Sequence, residues 1–132
     1  MRINHDYIKH LIDTTLDHPE PTFTIRDFRA AGLDYATTEF EFHMGLLYDQ
    51  KLIERGDGDS GFGLTKSIDG FRSWAVLPLR LTARGHDFAE AINEKTIWDK
   101  IKQDLPNAAM TTLVGTAIEM AKQYAMQKIG LS

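Results

Sequence analysis

The chain has 132 residues, of which 42% are hydrophobic and 26% charged, and carries a formal net charge of -4. That length suits one domain with a real core and is short for two, while the composition lies far from the polar, highly charged signature of disorder. Without cysteine the chain has no disulfide, thiolate metal site or cysteine nucleophile, and no apolar run approaches the roughly 20 residues that span a bilayer. The opening MRINHDYIKHLIDTTLDH has charges every few residues and no apolar h-region, so a cytoplasmic protein with no membrane contact is expected.

In chain order, Tyr7, Ile8, Leu11, Ile12, Thr15 and Leu16 recur at helical spacing, with Asn4 placed to cap the helix and HPEP to stop it. TFTIRDFRAAGL, residues 22–33, offers Thr24 as N-cap, Ile25, Phe28 and Ala31 on one face, and Gly32 as terminator of a short second helix. In DYATTEFEFHMGLLYDQ, residues 34–50, Thr38-x-x-Glu41 predicts a capping box and a third helix with Phe40, Met44 and Leu47 turned inward.

The period then changes. Leu77, Leu79 and Leu81 alternate, glycines at 56, 58, 61, 63 and 70 mark a long connection, and Asp69-Gly70 reads as a two-residue hairpin turn. One β-hairpin with an extended tip is predicted, with Pro78 at an edge because it lacks a ladder donor. From Thr82 helical spacing resumes through Phe88, Ile92, Ile97, Trp98, Ile101 and Leu105, a single fourth helix ending at Pro106. A last helix places Leu113, Val114, Ala117, Ile118, Ala121, Tyr124, Ala125 and Ile129 on one apolar face, and Gly130 ends it.

Three helices, a hairpin and two helices make a mainly α fold with a small β-hairpin (α+β). The connectivity is that of a winged helix-turn-helix: a winged-helix domain over residues 1–105 and a C-terminal helical extension over 106–132. Phe40, Met44, Leu47, Leu52, Leu79, Leu81 and Phe88 are expected to form one core with Leu11 and Phe28.

HMGLLYDQKLI, residues 43–53, resembles the run that ends the recognition helix and opens the wing in bacterial winged-helix regulators, and LTARGHDF, residues 81–88, resembles the segment leaving the second wing strand. Lys51 stands where many such proteins have glycine. Over nearly the whole chain, EFHMGLLYDQKLIE, LTARGHDFAEAINEKTIWDKIK and AKQYAMQKIGLS resemble blocks of a family of bacterial and prophage proteins designated domain of unknown function 2513. The resemblance implies a winged-helix core with a C-terminal helical extension, and no established activity.

Catalytic chemistry finds no anchor, so no enzyme, metal or cofactor is expected. His5, His10, His18, His43 and His86 form no HExxH or other ligand spacing, and Ser60, Ser67, Ser73 and Ser132 lie in no nucleophile motif. GDGDSGFG, residues 56–63, is neither a Walker loop, a dinucleotide fingerprint nor an EF-hand. His43 is expected as a half-buried histidine whose ring bonds a backbone carbonyl.

Two functions remain. If the third helix is a recognition helix, its outward face carries Tyr35, Thr37, Thr38, Glu41, Phe42, Gly45 and Tyr48, with Arg26, Arg29, Lys66 and Arg72 as candidate phosphate contacts on double-stranded DNA. The expectation is a DNA-binding or transcription-regulator-like module. The alternative is a protein-interaction module that has lost groove-reading chemistry, favoured by the cation-free helix face and acidic balance. Ala117, Ala121 and Ala125 fall every fourth position, so a homodimer through the last helix is expected.

Overall fold

Short polar side chains set where the first helices begin. In a computed structural model of the chain, which describes residues 1–131, Asn4 caps α1 (His5–Asp17) by accepting from the Tyr7 amide. Thr24 caps α2 (Ile25–Ala30) in a full capping box, with the Asp27 carboxylate taking the Thr24 N–H. The box expected at Thr38 and Glu41 does not form. Thr37 is the N-cap of α3 (Thr38–Asp49), its hydroxyl accepting from the Phe40 amide at 3.1 Å. The cap lies one residue earlier, so Glu41 falls beyond the first-turn position that could close a box, and its carboxylate is free to reach elsewhere.

At its other end α3 stops in a Schellman motif, with Lys51 N–H on the Tyr48 carbonyl and Leu52 N–H on the Leu47 carbonyl, both at 2.9 Å. Lys51 takes the left-handed conformation, φ 59°, that this motif requires.

The predicted hairpin is two hairpins. At the base, β1 (Ile53–Arg55) pairs antiparallel with β4 (Leu79–Leu81), Ile53 opposite Leu81. Phe23 bridges the other side of β4, exchanging two 2.8 Å hydrogen bonds with Leu79. The last contact of the base joins Gly56 N–H to the Pro78 carbonyl; proline has no N–H to continue the ladder. Pairing resumes beyond a glycine-rich excursion, where β2 (Leu64–Lys66) pairs with β3 (Arg72–Trp74), Leu64 opposite Trp74. The turn at the tip has three residues, Ile68 to Gly70, rather than two. Ser67 N–H bonds the Phe71 carbonyl and Gly70 N–H the Ser67 carbonyl, and Gly70, φ 88°, supplies the left-handed position of a bulged turn.

The predicted fourth helix is also divided, into α4 (Ala83–Asn93) and α5 (Lys95–Asp104), with Glu94 extended between them. The cause lies in the apolar pattern. At about 100° per residue, a straight helix would send Ile97, Trp98 and Ile101 to nearly the opposite side from Phe88 and Ile92. Breaking at Glu94 lets both sets enter the core, where all five are buried.

Capping by Thr82, whose side chain accepts from the Gly85 amide, starts α4. Gly85 lies against the Leu52 carbonyl and the Leu81 side chain so closely that a Cβ would collide with both. The last helix, α6 (Met110–Lys128), packs its first half on α4 and α5 through Met110, Leu113, Val114 and Ala117.

All nine residues expected in the core are buried in one cluster, which also takes in Ile8, Ile12, Ile25, Ile53 and the inner faces of α4 to α6. The molecule is mixed helical with small antiparallel hairpins, an α+β fold. Among the described residues no helix is long and apolar enough to cross a membrane.

Candidate functional site

The β2–β3 hairpin folds back across the face of α3 that the sequence pattern leaves outward. Trp74 stands edge-on to Phe40, ring centroids 5.4 Å apart. Phe62 lies between Tyr48 and Trp74 with its ring tilted to both, centroids 5.3 and 5.8 Å apart, and the Tyr48 hydroxyl accepts from the Gly61 amide at 2.7 Å.

Between helix and hairpin sits Glu41. Lys66 Nζ stands 2.8 Å from its Oε1 and Arg72 Nε 2.5 Å from its Oε2. The carboxylate is largely enclosed, its side chain 13% exposed, while Lys66 and Arg72 keep 59% and 49% of theirs. Lys66 first, then Arg72, hold the Glu41 carboxyl below its ordinary range against the cost of desolvation. One anion between two cations leaves a local charge of +1.

This clasp defines two hollows. Along the β2 flank runs a groove of about 440 Å³ whose apolar lining comes from Phe42, Leu46, Phe62, Leu64 and Met1. Gly45 lies on its floor, and a Cβ there would meet nothing within 4 Å. Lys66 and Arg72 meet Glu41 near the start of α3 and Asp49 is the last residue of that helix, about two turns on, so these charged lining residues stand toward opposite ends of the groove. On the β3 flank a smaller hollow of about 260 Å³ is lined by Tyr35, Thr37, Thr38, Arg72 and Trp74.

The structure thus distributes the expected recognition face around the clasp rather than along an open helix. Thr38, Glu41, Phe42, Gly45 and Tyr48 face the hairpin or its groove. Thr37 is engaged as the cap, and Tyr35 receives the Arg29 guanidinium 5.7 Å above its ring. Of the expected phosphate contacts, Lys66 and Arg72 are committed to Glu41, whereas Arg26 and Arg29 lie on α2 and form no ion pair among the described residues. Arg80 pairs with Glu54, and Arg55 with Asp57 and Asp59. No lysine or arginine lies in α3.

Phe62, Leu64 and Trp74 belong to the site without having been singled out in the sequence. Their alternation was the available signal, since Phe62 and Leu64 are two apart and Trp74 pairs with Leu64, but the surrounding glycines read as a featureless loop.

His43 is buried, deeper than expected, and its ring does bond a carbonyl: Nδ1–H donates to Glu39 O at 2.8 Å. Its Nε2 accepts from the Asn4 backbone N–H at 3.0 Å, tying α3 to the cap of α1. These two bonds fit the neutral ring with its proton on Nδ1, and burial lowers its pKa further. Among the described residues no group of three histidines or carboxylates is arranged to hold a metal.

On α6, Ala117 is fully buried in the core, Ala121 is half-buried beside it, and only Ala125 is exposed. The alanine line therefore enters the protein's own core at its first member instead of lying open along its length.

The family model described as a hypothetical protein, DUF2513, matches residues 2–111. No curated protein matches the chain, and no solved structure does.

Proposed function

The chain belongs to the DUF2513 family, and on that premise we propose that it is a binding module on a winged-helix frame, whose working surface is the groove between α3 and the β2–β3 hairpin. The frame rests on connectivity: α1, the Phe23 bridge, α2, α3, then the β1–β4 hairpin with Phe23 as the third member of its sheet. In a winged helix that reads duplex DNA, the third helix is bare and cations line its approach. Here the equivalent face carries its own hairpin, and the two cations of that hairpin are spent on Glu41.

That clasp is the observation that carries the reading. What is left open beside α3 is apolar and aromatic, the chemistry of a protein contact rather than of a phosphate backbone. The partner is accordingly a protein segment, met in the reducing interior that a cysteine-free chain suits.

The second reading, duplex DNA, draws on Arg26 and Arg29, exposed on α2 and without carboxylate partners among the described residues. One experiment separates the two. Anisotropy of a labelled random-sequence duplex is measured at low and moderate salt with the wild type and with Arg26→Ala/Arg29→Ala. The protein reading expects no salt-sensitive binding. Wild-type binding that weakens steeply with salt and is reduced in the double variant would transfer the assignment to DNA.

We also propose self-association through the free end of α6. Ala125, Met126, Ile129 and Leu131 are exposed there, beyond the half of the helix that packs on α4 and α5.

A further inference from the structure

The edge of β2 faces the same groove. In an antiparallel pair, opposed residues alternate between those that exchange ladder hydrogen bonds and those whose N–H and C=O point away from the partner. Gly63 accepts from Ala75 N–H, and Ser67 N–H donates to Phe71. Gly63, Thr65 and Ser67 therefore face β3, and the N–H and C=O of Leu64 and Lys66 point outward. Only β3 pairs with β2, and among the described residues no hydrogen bond reaches those four groups. An open strand edge bordering an apolar groove is a template for strand addition.

Resting on the groove reading above, we propose that the partner is an extended segment of another protein that pairs with β2 as a third strand, with alternate apolar side chains entering the groove. Its backbone takes the free groups of Leu64 and Lys66. Side chains two apart lie on one face of a strand, so every second residue of the segment meets Phe42, Leu46 and Phe62 while those between face water. Gly45 contributes no side chain and lets the segment approach the α3 backbone.

Charge sets which end of the segment lies at which end of the groove. The Lys66–Arg72 end carries the surplus cation and the other end carries Asp49, whose exposed carboxylate has no ion-pair partner among the described residues. The matching segment has an acidic residue over Lys66 and Arg72 and a basic one over Asp49. Because β2 runs from the Asp49 end toward the hairpin tip, an antiparallel segment has its acid N-terminal to its base.

The test uses the full chain and short random-sequence peptides selected on it by display. Selected peptides should show alternate apolar positions flanked by an acid and a base, and binding should slow hydrogen exchange at the Leu64 and Lys66 amides. N-methylation of peptide amides at alternate positions should weaken binding by about tenfold, equal to about 1.4 kcal/mol, and methylation at the positions between should not. Gly45→Trp, which fills the groove from an open helix position, should weaken binding at least as much while far-UV circular dichroism stays that of the wild type.

Peptides that bind in the groove but tolerate N-methylation at every position would overturn strand addition and leave the groove reading standing. Binding unaffected by Gly45→Trp, or failure to select any peptide, would overturn the groove reading itself. Self-association of the wild type that Gly45→Trp abolishes would make the occupant a second copy of this chain and overturn the proposal.

Discussion

At residue scale the fold turns on two positions, Lys51 and His43. A side chain with a Cβ costs roughly 1–2 kcal/mol in the left-handed region, and Lys51 sits there because the Schellman turn leads directly into β1. Lys51→Gly should relieve most of that strain and, net of glycine's greater unfolded-state entropy, raise stability by about 1 kcal/mol; an unchanged or lower urea midpoint would refute it. His43 makes stability depend on acid. Its folded pKa lies below the ordinary 6.5 because burial disfavours the cation, and protonated Nε2 would oppose the Asn4 N–H it now accepts. The unfolded chain therefore binds the proton more readily than the folded one. Stability from this source is complete above about pH 6.5 and falls as pH drops through the lowered folded value. His5, lowered first by burial, adds to the same slope. Denaturation midpoints that stay level from about pH 7 to 5 would contradict both assignments. Lys51 was legible in the sequence as a lysine in a glycine position. The Asn4 contact of His43 was not, because it joins residues 39 apart.

At the scale of elements, caps and periodicity carried the helices, and what they missed was long-range. Asn4 and Thr24 cap as their positions suggest, whereas Thr38-x-x-Glu41 satisfied the local rule and was overruled by Thr37 and by the hairpin. No local pattern could pair Glu41 with Lys66 and Arg72, about two dozen or more residues away in the chain, and that pairing is what turns a presumed reading face into a covered one. The break at Glu94 was hidden differently, since the apolar residues on both sides fit helical spacing and only their relative direction, seen against the core, forbids one straight rod. The clasp itself can be opened. Lys66→Glu with Arg72→Glu would gather three carboxylates, so the hairpin should lift from α3, uncovering Phe40 while the rest of the core cluster stays packed. Exchange at the Gly61 amide, now bonded to Tyr48, should quicken by about tenfold or more, and global stability should fall by about 1 kcal/mol or more, because the enclosed ion-pair network is lost and the lifted hairpin uncovers Phe40 and Tyr48. An unaltered Gly61 rate would mean that the aromatic contacts hold the hairpin without the ion pairs.

At the scale of the whole molecule, the family match ends at residue 111, where α6 has only begun. The apolar face of that helix was plain from spacing; how much of it the chain covers with its own α4 and α5 was not, because burial depends on where a helix docks. Docking consumes Ala117 and partly Ala121, which moves the test of self-association to Ala125. Ala125→Glu leaves the core untouched, so in a dimer built on the helix end it should give a folded monomer by light scattering. A wild type that is already monomeric at high concentration would end that proposal. The separation of an enclosed helical core from a hairpin clipped onto its surface predicts two kinds of motion, cooperative unfolding of the first and local opening of the second.

The two tryptophans of the chain fall one in each of those parts: Trp98 among the buried residues of α5, Trp74 on the clasped strand against Phe40. Their emission therefore carries two separate signals. With Trp98 replaced by Phe, the remaining indole reads only whether the hairpin lies against α3, because lifting it exchanges an aromatic neighbour for water and shifts the emission to the red. The protein has a fluorescent gauge of its own clasp, usable without any attached dye.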